Sequence, residues 1–160
     1  MEFRLIKPED NAALAVLIRA NLKARGLDIP GTVYFDSILD HLSDYYLADP
    51  ERQAYYVQVD DEGRVVGGIG LAPFEGFENC AELQKLYLDD SVKGHGYGYD
   101  LIRLVEEKAR GLGYSRMYLE THENLQAAIH IYERSGYRLI DKPDCVVHSA
   151  MTHFYLKELQ

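Results

Sequence analysis

The segment KGHGYG, at residues 93–98, places three glycines directly in front of an amphipathic run. A strand pattern, CAELQKLYLDD, precedes the segment, and apolar residues at helical spacing follow it from Leu101 to Leu112. Glycine lets a backbone approach a ligand closely, and the first turn of a helix carries unpaired N–H groups and partial positive charge. The segment therefore predicts a strand–turn–helix junction that can hold a phosphate group.

Two well-known phosphate-binding motifs do not match this segment. A Walker A loop would place Lys-Ser or Lys-Thr after its last glycine, where Tyr99 and Asp100 stand. A Rossmann turn follows the first strand of a repeated βαβ unit, whereas this turn lies in the middle of the chain. Without its context, the glycine spacing would indicate only a tight turn.

The remaining patterns predict the order strand, two helices, three strands, helix, strand, helix and two strands. The second predicted helix covers TVYFDSILDHLSDYYLADP, and a hairpin turn is predicted at DDEG. Antiparallel hairpins combined with one strand–helix–strand unit predict an α/β (α+β) fold. We expect a single domain over residues 1–160, with a mixed, mostly antiparallel sheet of about seven strands flanked by four helices.

Composition limits the partners and the compartment. The formal net charge of −9 disfavours duplex DNA and anionic membranes, which bind clustered Lys and Arg. No apolar run is long enough to span a bilayer, and the acidic N-terminal segment does not resemble a secretory signal. The two cysteines form no disulfide framework, and no pair of the six histidines has helix-face metal spacing. These features predict a cytoplasmic protein without a nucleic-acid, membrane or metal partner.

Three segments together resemble one known family. KGHGYG is similar to the turn motif of the GNAT superfamily of acetyl-coenzyme A-dependent N-acetyltransferases, with Lys93 where the family has Arg or Gln. LQKLYLDD resembles the family's fourth strand, and AAIHIYERSGYRLI resembles its closing helix and the segment that follows. The motifs cover roughly residues 80–141, and the predicted order of elements extends the resemblance across the chain.

The resemblance implies that acetyl-coenzyme A is the co-substrate. The pyrophosphate would lie on the main-chain amides of the turn, and the pantetheine arm would pair with the strand before it. The residues so assigned are Leu86, Tyr87, Leu88, Lys93, Gly94, His95, Gly96, Tyr97 and Gly98.

The resemblance also assigns two catalytic residues. Glu82 would act as general base, and strand alternation predicts that Glu82, Gln84, Leu86 and Leu88 share one face. The alternative for Glu82 is an acid at a strand edge without a catalytic role. Tyr132 would donate a proton or hydrogen bond to the departing thiolate, and its alternative is core packing.

Asn124 departs from the family pattern. The family often has an asparagine seven residues before the motif tyrosine, where this chain has Leu125. Asn124 could still contact the cofactor, or it could cap the helix that follows, and the cap is the simpler expectation.

The resemblance implies transfer of an acetyl group to a primary amine by direct attack in a ternary complex. Asp36, Asp40 and Asp44 recur every four residues and would line one helix face, which suggests a cationic acceptor; a solvated face explains them equally well. A non-catalytic acyl-coenzyme A sensor on the same fold is the alternative function. An edge strand predicted near residues 151–159 makes a homodimer conceivable.

Overall fold

The computed structural model describes residues 1–147 and 149–160, so His148 lies outside the described residues. Within them, seven strands form one sheet in the order β1-β2-β3-β4-β5-β7-β6. The β4–β5 pair is parallel and every other neighbouring pair is antiparallel. The strands are β1 (Glu2–Leu5), β2 (Ala54–Val59), β3 (Val65–Phe74), β4 (Cys80–Leu88), β5 (Arg116–Thr121), β6 (Arg138–Ile140) and β7 (His153–Glu158).

Helices cover both faces of the sheet. They are α1 (Asn11–Ala24), α2 (Leu42–Tyr46), α3 (Tyr97–Gly111) and α4 (Gln126–Arg134). One buried cluster joins α1 and α2 to the sheet, and a second cluster joins α3 and α4 to the opposite face. This arrangement confirms the predicted fold class. No described helix combines the length and the apolar character that a bilayer crossing requires.

The second predicted helix is wrong as one continuous element. The chain forms two short 3-10 turns, Val33–Phe35 and Ser37–His41, before α2 begins. Extended residues start both turns, because the Thr32 side chain accepts the Tyr34 N–H and the Asp36 carboxylate accepts the Ile38 N–H. These local hydrogen bonds replace helical ones, so the three spaced aspartates do not line one helix face.

The edge strand predicted near residues 151–159 is also wrong. Strand β7 pairs with β5 on one side and with β6 on the other, so it lies inside the sheet. The edges of the sheet are β1 and β6. The prediction failed because the last strand of the chain is inserted between two earlier strands. The spacing of apolar residues along the chain does not indicate the order of strands in a sheet.

A β-bulge interrupts β4 at Lys85. Tyr87 pairs with Gly68 and Gln84 pairs with Gly70, so two residues of β4 oppose one residue of β3. Lys85 has a φ of 52°, a left-handed backbone conformation that residues other than glycine rarely adopt. Because the bulge adds one residue to β4, each side chain after it lies on the face opposite to the one that regular alternation predicts.

The predicted shared face of β4 is therefore wrong. Gln84 bonds to Tyr46 on the α1/α2 side of the sheet, and Glu82 bonds to Gln84. Leu86 and Leu88 instead pack in the cluster on the α3/α4 side.

Tyr55, the second residue of β2, supports the bulge. Its buried hydroxyl donates a 2.8 Å hydrogen bond to the carbonyl oxygen of Lys85. The ring lies over the glycines of β3, and a Cβ added at Gly68 would be 2.5 Å from a Tyr55 ring carbon. The glycines at this place leave the room that Tyr55 needs to reach the bulge.

We expect Tyr55→Phe to lower the free energy of unfolding by about 1–2 kcal/mol, because the Lys85 carbonyl loses its donor. Urea denaturation measures the change. The matched control is Tyr56→Phe, since Tyr56 is half-buried and packs against the cluster on the other face of the sheet. Equal losses in the two variants would contradict a special role for the Tyr55 hydroxyl.

Candidate active site

A cavity of about 720 Å³ lies where β4 and β5 separate. The two strands pair only from Cys80 to Glu82 and from Arg116 to Tyr118. Beyond Glu82, the β5-facing edge of β4 has no strand partner among the described residues. The cavity is therefore lined by one strand whose main chain can accept a further extended segment.

The glycine turn forms one wall of the cavity. Gly94 and Gly96 have φ values of +83° and +81°, and α3 begins directly after them. Among the described residues, no acceptor is recorded for the main-chain N–H groups of residues 94–99. A Cβ added at Gly98 would be 2.9 Å from the Ile131 side chain, so this glycine lets α3 and α4 approach closely. The turn thus presents a run of free donors at a helix N-terminus, which is an anion-binding arrangement.

Lys93 and Asn21 connect the turn to the rest of the cavity wall. The Lys93 ammonium lies 2.8 Å from the Asp90 carboxylate and 3.2 Å from the Asn21 side-chain oxygen. The Asn21 amide in turn donates a 3.2 Å hydrogen bond to the Leu88 carbonyl. Helix α1 is thereby fixed to the end of β4 and to the start of the turn.

Glu82 lies at the point where the strands separate. Its carboxylate accepts a 3.0 Å hydrogen bond from the Gln84 amide, and the Gln84 oxygen accepts a 2.6 Å bond from the Tyr46 hydroxyl. Burial raises the pKa of Glu82 to about 7, the Gln84 hydrogen bond opposes that rise, and the Glu120 charge adds to it. A carboxyl group with this pKa can both accept and release a proton near neutrality.

Glu120, at the end of β5, is a second carboxylate in the cavity wall. It accepts a 2.7 Å hydrogen bond from the Tyr118 hydroxyl and a 3.1 Å bond from Ser149. Sequence reasoning did not identify Glu120, Lys85 or Ser149 as cavity residues. The available signal for Glu120 was its position near the carboxyl end of the strand that runs parallel to β4.

Tyr132 reaches the cavity from α4 and is only 6% exposed. No hydrogen-bond partner for its hydroxyl is recorded in the described part of the chain. Burial, and to a smaller extent the neighbouring Tyr87, raises its pKa above the ordinary value. Tyr132 therefore stays protonated at neutral pH and offers a free O–H donor. Tyr137 is buried in the core.

Most of the residues predicted for the site line this one cavity. They are Glu82, Leu86, Tyr87, Leu88, Lys93, Gly94, Gly96, Tyr97, Gly98 and Tyr132. His95 is exposed and is not among the described lining residues, although its main-chain N–H belongs to the free run of the turn.

Asn124 also lies outside the lining of the cavity. Its side-chain amide donates a 2.9 Å hydrogen bond to the Arg25 carbonyl. Helix α4 begins at Gln126, with Leu125 at the capping position and no side-chain cap. The predicted helix cap is therefore wrong, because the Asn124 amide joins two loops instead.

None of the three spaced aspartates lines the cavity. Asp40 pairs with Arg19 at 2.8 Å, and Asp44 lies in a separate shallow groove beside His41 and Tyr45. The described residues contain no group of three or more His, Cys, Asp or Glu side chains that could hold a metal ion.

Comparison with known proteins supports the same fold and family. The model of the acetyltransferase (GNAT) family matches residues 24–137. The uncharacterized N-acetyltransferase YjgM of Escherichia coli K12 is 39% identical over 140 residues, which cover 86% of this chain and 82% of YjgM.

Solved structures have the same architecture. A GNAT-family acetyltransferase of Staphylococcus aureus Mu50 aligns with a TM-score of 0.86 at 20% identity and covers 99% of both chains. The PaiA N-acetyltransferase of Thermoplasma acidophilum, solved in complex with coenzyme A, aligns with a TM-score of 0.77 at 19% identity and covers 98% of both chains. The family match and the identity to YjgM show that this chain belongs to the GNAT acetyltransferase family and is an acyltransferase.

Proposed function

We propose that this protein transfers an acetyl group from acetyl-coenzyme A to a primary amine by direct attack in a ternary complex. One observation carries the proposal: a run of free main-chain donors, a carboxylate and a free phenol face the same cavity. Each group matches one requirement of acyl transfer, which needs an anchored donor, a proton acceptor and a proton donor.

The residues of the cavity fit coenzyme A. The free N–H groups of residues 94–99 would bind its pyrophosphate, and the Lys93 ammonium, paired with Asp90, lies at the start of the same turn. The unpaired edge of β4 would hold the pantetheine arm as an added strand near Leu86, Tyr87 and Leu88. The coenzyme A complex of the PaiA neighbour supports this proposal. When bound, acetyl-coenzyme A supplies an activated acyl group as a thioester.

Glu82 would take the proton that the acceptor ammonium must lose before it can attack. Its pKa of about 7 makes the carboxylate available at neutral pH and strong enough as a base. The hydrogen-bonded chain from Tyr46 through Gln84 orients the Glu82 carboxylate towards the cavity. Glu120, on the neighbouring strand, helps to keep the Glu82 pKa high because the two negative charges repel.

Tyr132 would donate its proton or a hydrogen bond to the sulfur that leaves. Its hydroxyl is free for this contact, and burial keeps the phenol neutral. Tyr132 also packs in the core, which was the alternative role considered from the sequence, because its ring belongs to the cluster on the α3/α4 side. The two roles use different atoms of the same side chain.

A cationic acceptor, proposed from the three aspartates, loses that support because they lie outside the cavity. The carboxylates of Glu82 and Glu120, which do line the cavity, favour an acceptor that carries an ammonium group.

The first test is release of free thiol from acetyl-coenzyme A with a panel of primary amines. We expect Tyr132→Phe and Glu82→Gln each to lower kcat by about 10²-fold or more, because each removes one proton transfer. Wild-type kcat/KM should rise with pH up to about 7, where Glu82 loses its proton, and then level off, whereas kcat/KM of Glu82→Gln should keep rising towards the pKa of the acceptor amine.

Matched controls are Tyr114→Phe and Glu78→Gln, whose side chains do not line the cavity. Turnover in both controls should equal that of the wild type. Binding of acetyl-coenzyme A without thiol release from any amine would contradict the proposed reaction and favour the sensor alternative.

A second test measures how much the ionised Glu82 carboxylate lowers the free energy of unfolding. Because the folded pKa of Glu82 lies above its ordinary value of 4.5, the favourable contribution of protonated Glu82 is complete below pH 4.5 and disappears as pH rises through about 7. We therefore expect Glu82→Gln to be more stable than wild type by up to about 3 kcal/mol at pH 8.5, and equally stable near pH 4.5. Urea denaturation at both pH values measures the difference. A gain in stability that is the same at both would contradict the raised pKa.

A further inference from the structure

Lys85 places a positive charge in the wall of the cavity. The residue occupies the bulge of β4 with a φ of 52°, and it is half-buried. Its ammonium lies 5.9 Å from the centre of the Tyr46 ring, on the side of the sheet that also carries Glu82 and Gln84. Strained conformations of this kind persist where the surrounding structure fixes them, and they are concentrated at functional sites.

The Lys85 ammonium has no ion-pair partner among the described residues. The two carboxylates whose charges act on it are Asp36 and Glu82, and neither comes within the 4.0 Å of an ion pair. Burial is the largest influence on its pKa and lowers it, while Asp36 and Glu82 oppose that change. A desolvated cation without a direct partner is unfavourable, and an anion in contact with it would remove that cost.

The cavity therefore presents charges of both signs to an acceptor. Glu82 and Glu120 can receive an ammonium group, and Lys85 can receive an anionic group. A simple alkylamine would satisfy the carboxylates but would bring positive charge close to Lys85. A zwitterionic acceptor matches both signs at once, because its ammonium group can face the carboxylates while its anionic group contacts Lys85.

We propose that the acceptor is an amino acid whose carboxylate binds the Lys85 ammonium while its amine faces Glu82. The inference rests on the proposed acetyl transfer and adds the substrate class. Lys85 is then a specificity residue of the acceptor site, and the bulge is the feature that directs its side chain to that position. The acceptor site would discriminate against amines that lack a carboxylate, because such amines leave the Lys85 ammonium desolvated and without an ion-pair partner.

The test compares matched acceptors that differ only in charge: L-leucine, L-phenylalanine and L-aspartate, each against its own α-carboxamide. We expect the wild-type kcat/KM to favour the acid over the amide by about 10-fold to 100-fold for at least one pair, the range expected for a hydrogen bond to a charged group. The carboxamide is the less basic amine, so intrinsic reactivity at neutral pH favours the amide and works against this result. Lys85→Met should lower the acid-to-amide ratio by a similar factor, and Lys85→Arg should restore part of it.

The matched control is Lys23→Met, because Lys23 is exposed on α1 and does not line the cavity. Its acid-to-amide ratio and its rates should equal those of the wild type. A wild-type preference for the amides or for simple alkylamines, or an unchanged ratio in Lys85→Met, would overturn the inference and leave the proposed acetyl transfer in place. Absence of thiol release from every amine would contradict the acetyl transfer itself, so the two failures are distinguishable.

Discussion

Strands β4 and β5 run side by side for three residue pairs and then separate, and this separation creates the site. The bulge at Lys85 accompanies it, and the buried Tyr55 hydroxyl holds the bulge carbonyl in place. On one side of the gap, β4 keeps an edge that has no strand partner within residues 1–147 and 149–160. At its end, the glycine turn presents free N–H groups at the start of α3. The cavity thus depends on main-chain geometry before any side chain contributes chemistry.

The site is assembled from groups that are unfavourable on their own. Glu82 carries a raised pKa, and Lys85 combines positive φ with partial burial. The amides of residues 94–99 lack acceptors in the part of the chain that the structure describes. Two apolar clusters, one on each face of the sheet, provide the stability that keeps these groups in place. A bound co-substrate and acceptor would provide the hydrogen bonds and ion pairs that these groups lack in the free protein. The free energy of these new interactions would then favour binding and catalysis.

The sequence allowed the fold class, the turn and most of the cavity residues to be predicted. Glycine spacing and helical periodicity are local signals, and they located the turn and helix α3 correctly. The bulge at Lys85 was not predictable, because it depends on Tyr55 reaching across β3 over Gly68. The face on which Leu86 and Leu88 lie was therefore predicted wrongly.

Asn124 and Glu120 show the same limit of local patterns. The amide of Asn124 bonds to a carbonyl 99 residues away in sequence, and no local pattern reports that contact. Glu120 becomes part of the site only because β5 lies beside β4, which is a property of the sheet order. Both features depend on contacts between distant segments, whereas the interruption of the second predicted helix depends on the local hydrogen bonds of Thr32 and Asp36.

The proposed function depends on binding of the coenzyme A pyrophosphate by the free amides of the turn. A titration of ¹⁵N-labelled protein with coenzyme A, followed by amide resonances, measures this binding residue by residue. We expect the largest shifts on residues 94–99 and on the unpaired edge of β4, and we expect Gly96→Val, which places a branched side chain at a φ of +81°, to weaken binding. Saturable binding of coenzyme A that leaves the amides of residues 94–99 unshifted would contradict this role of the turn.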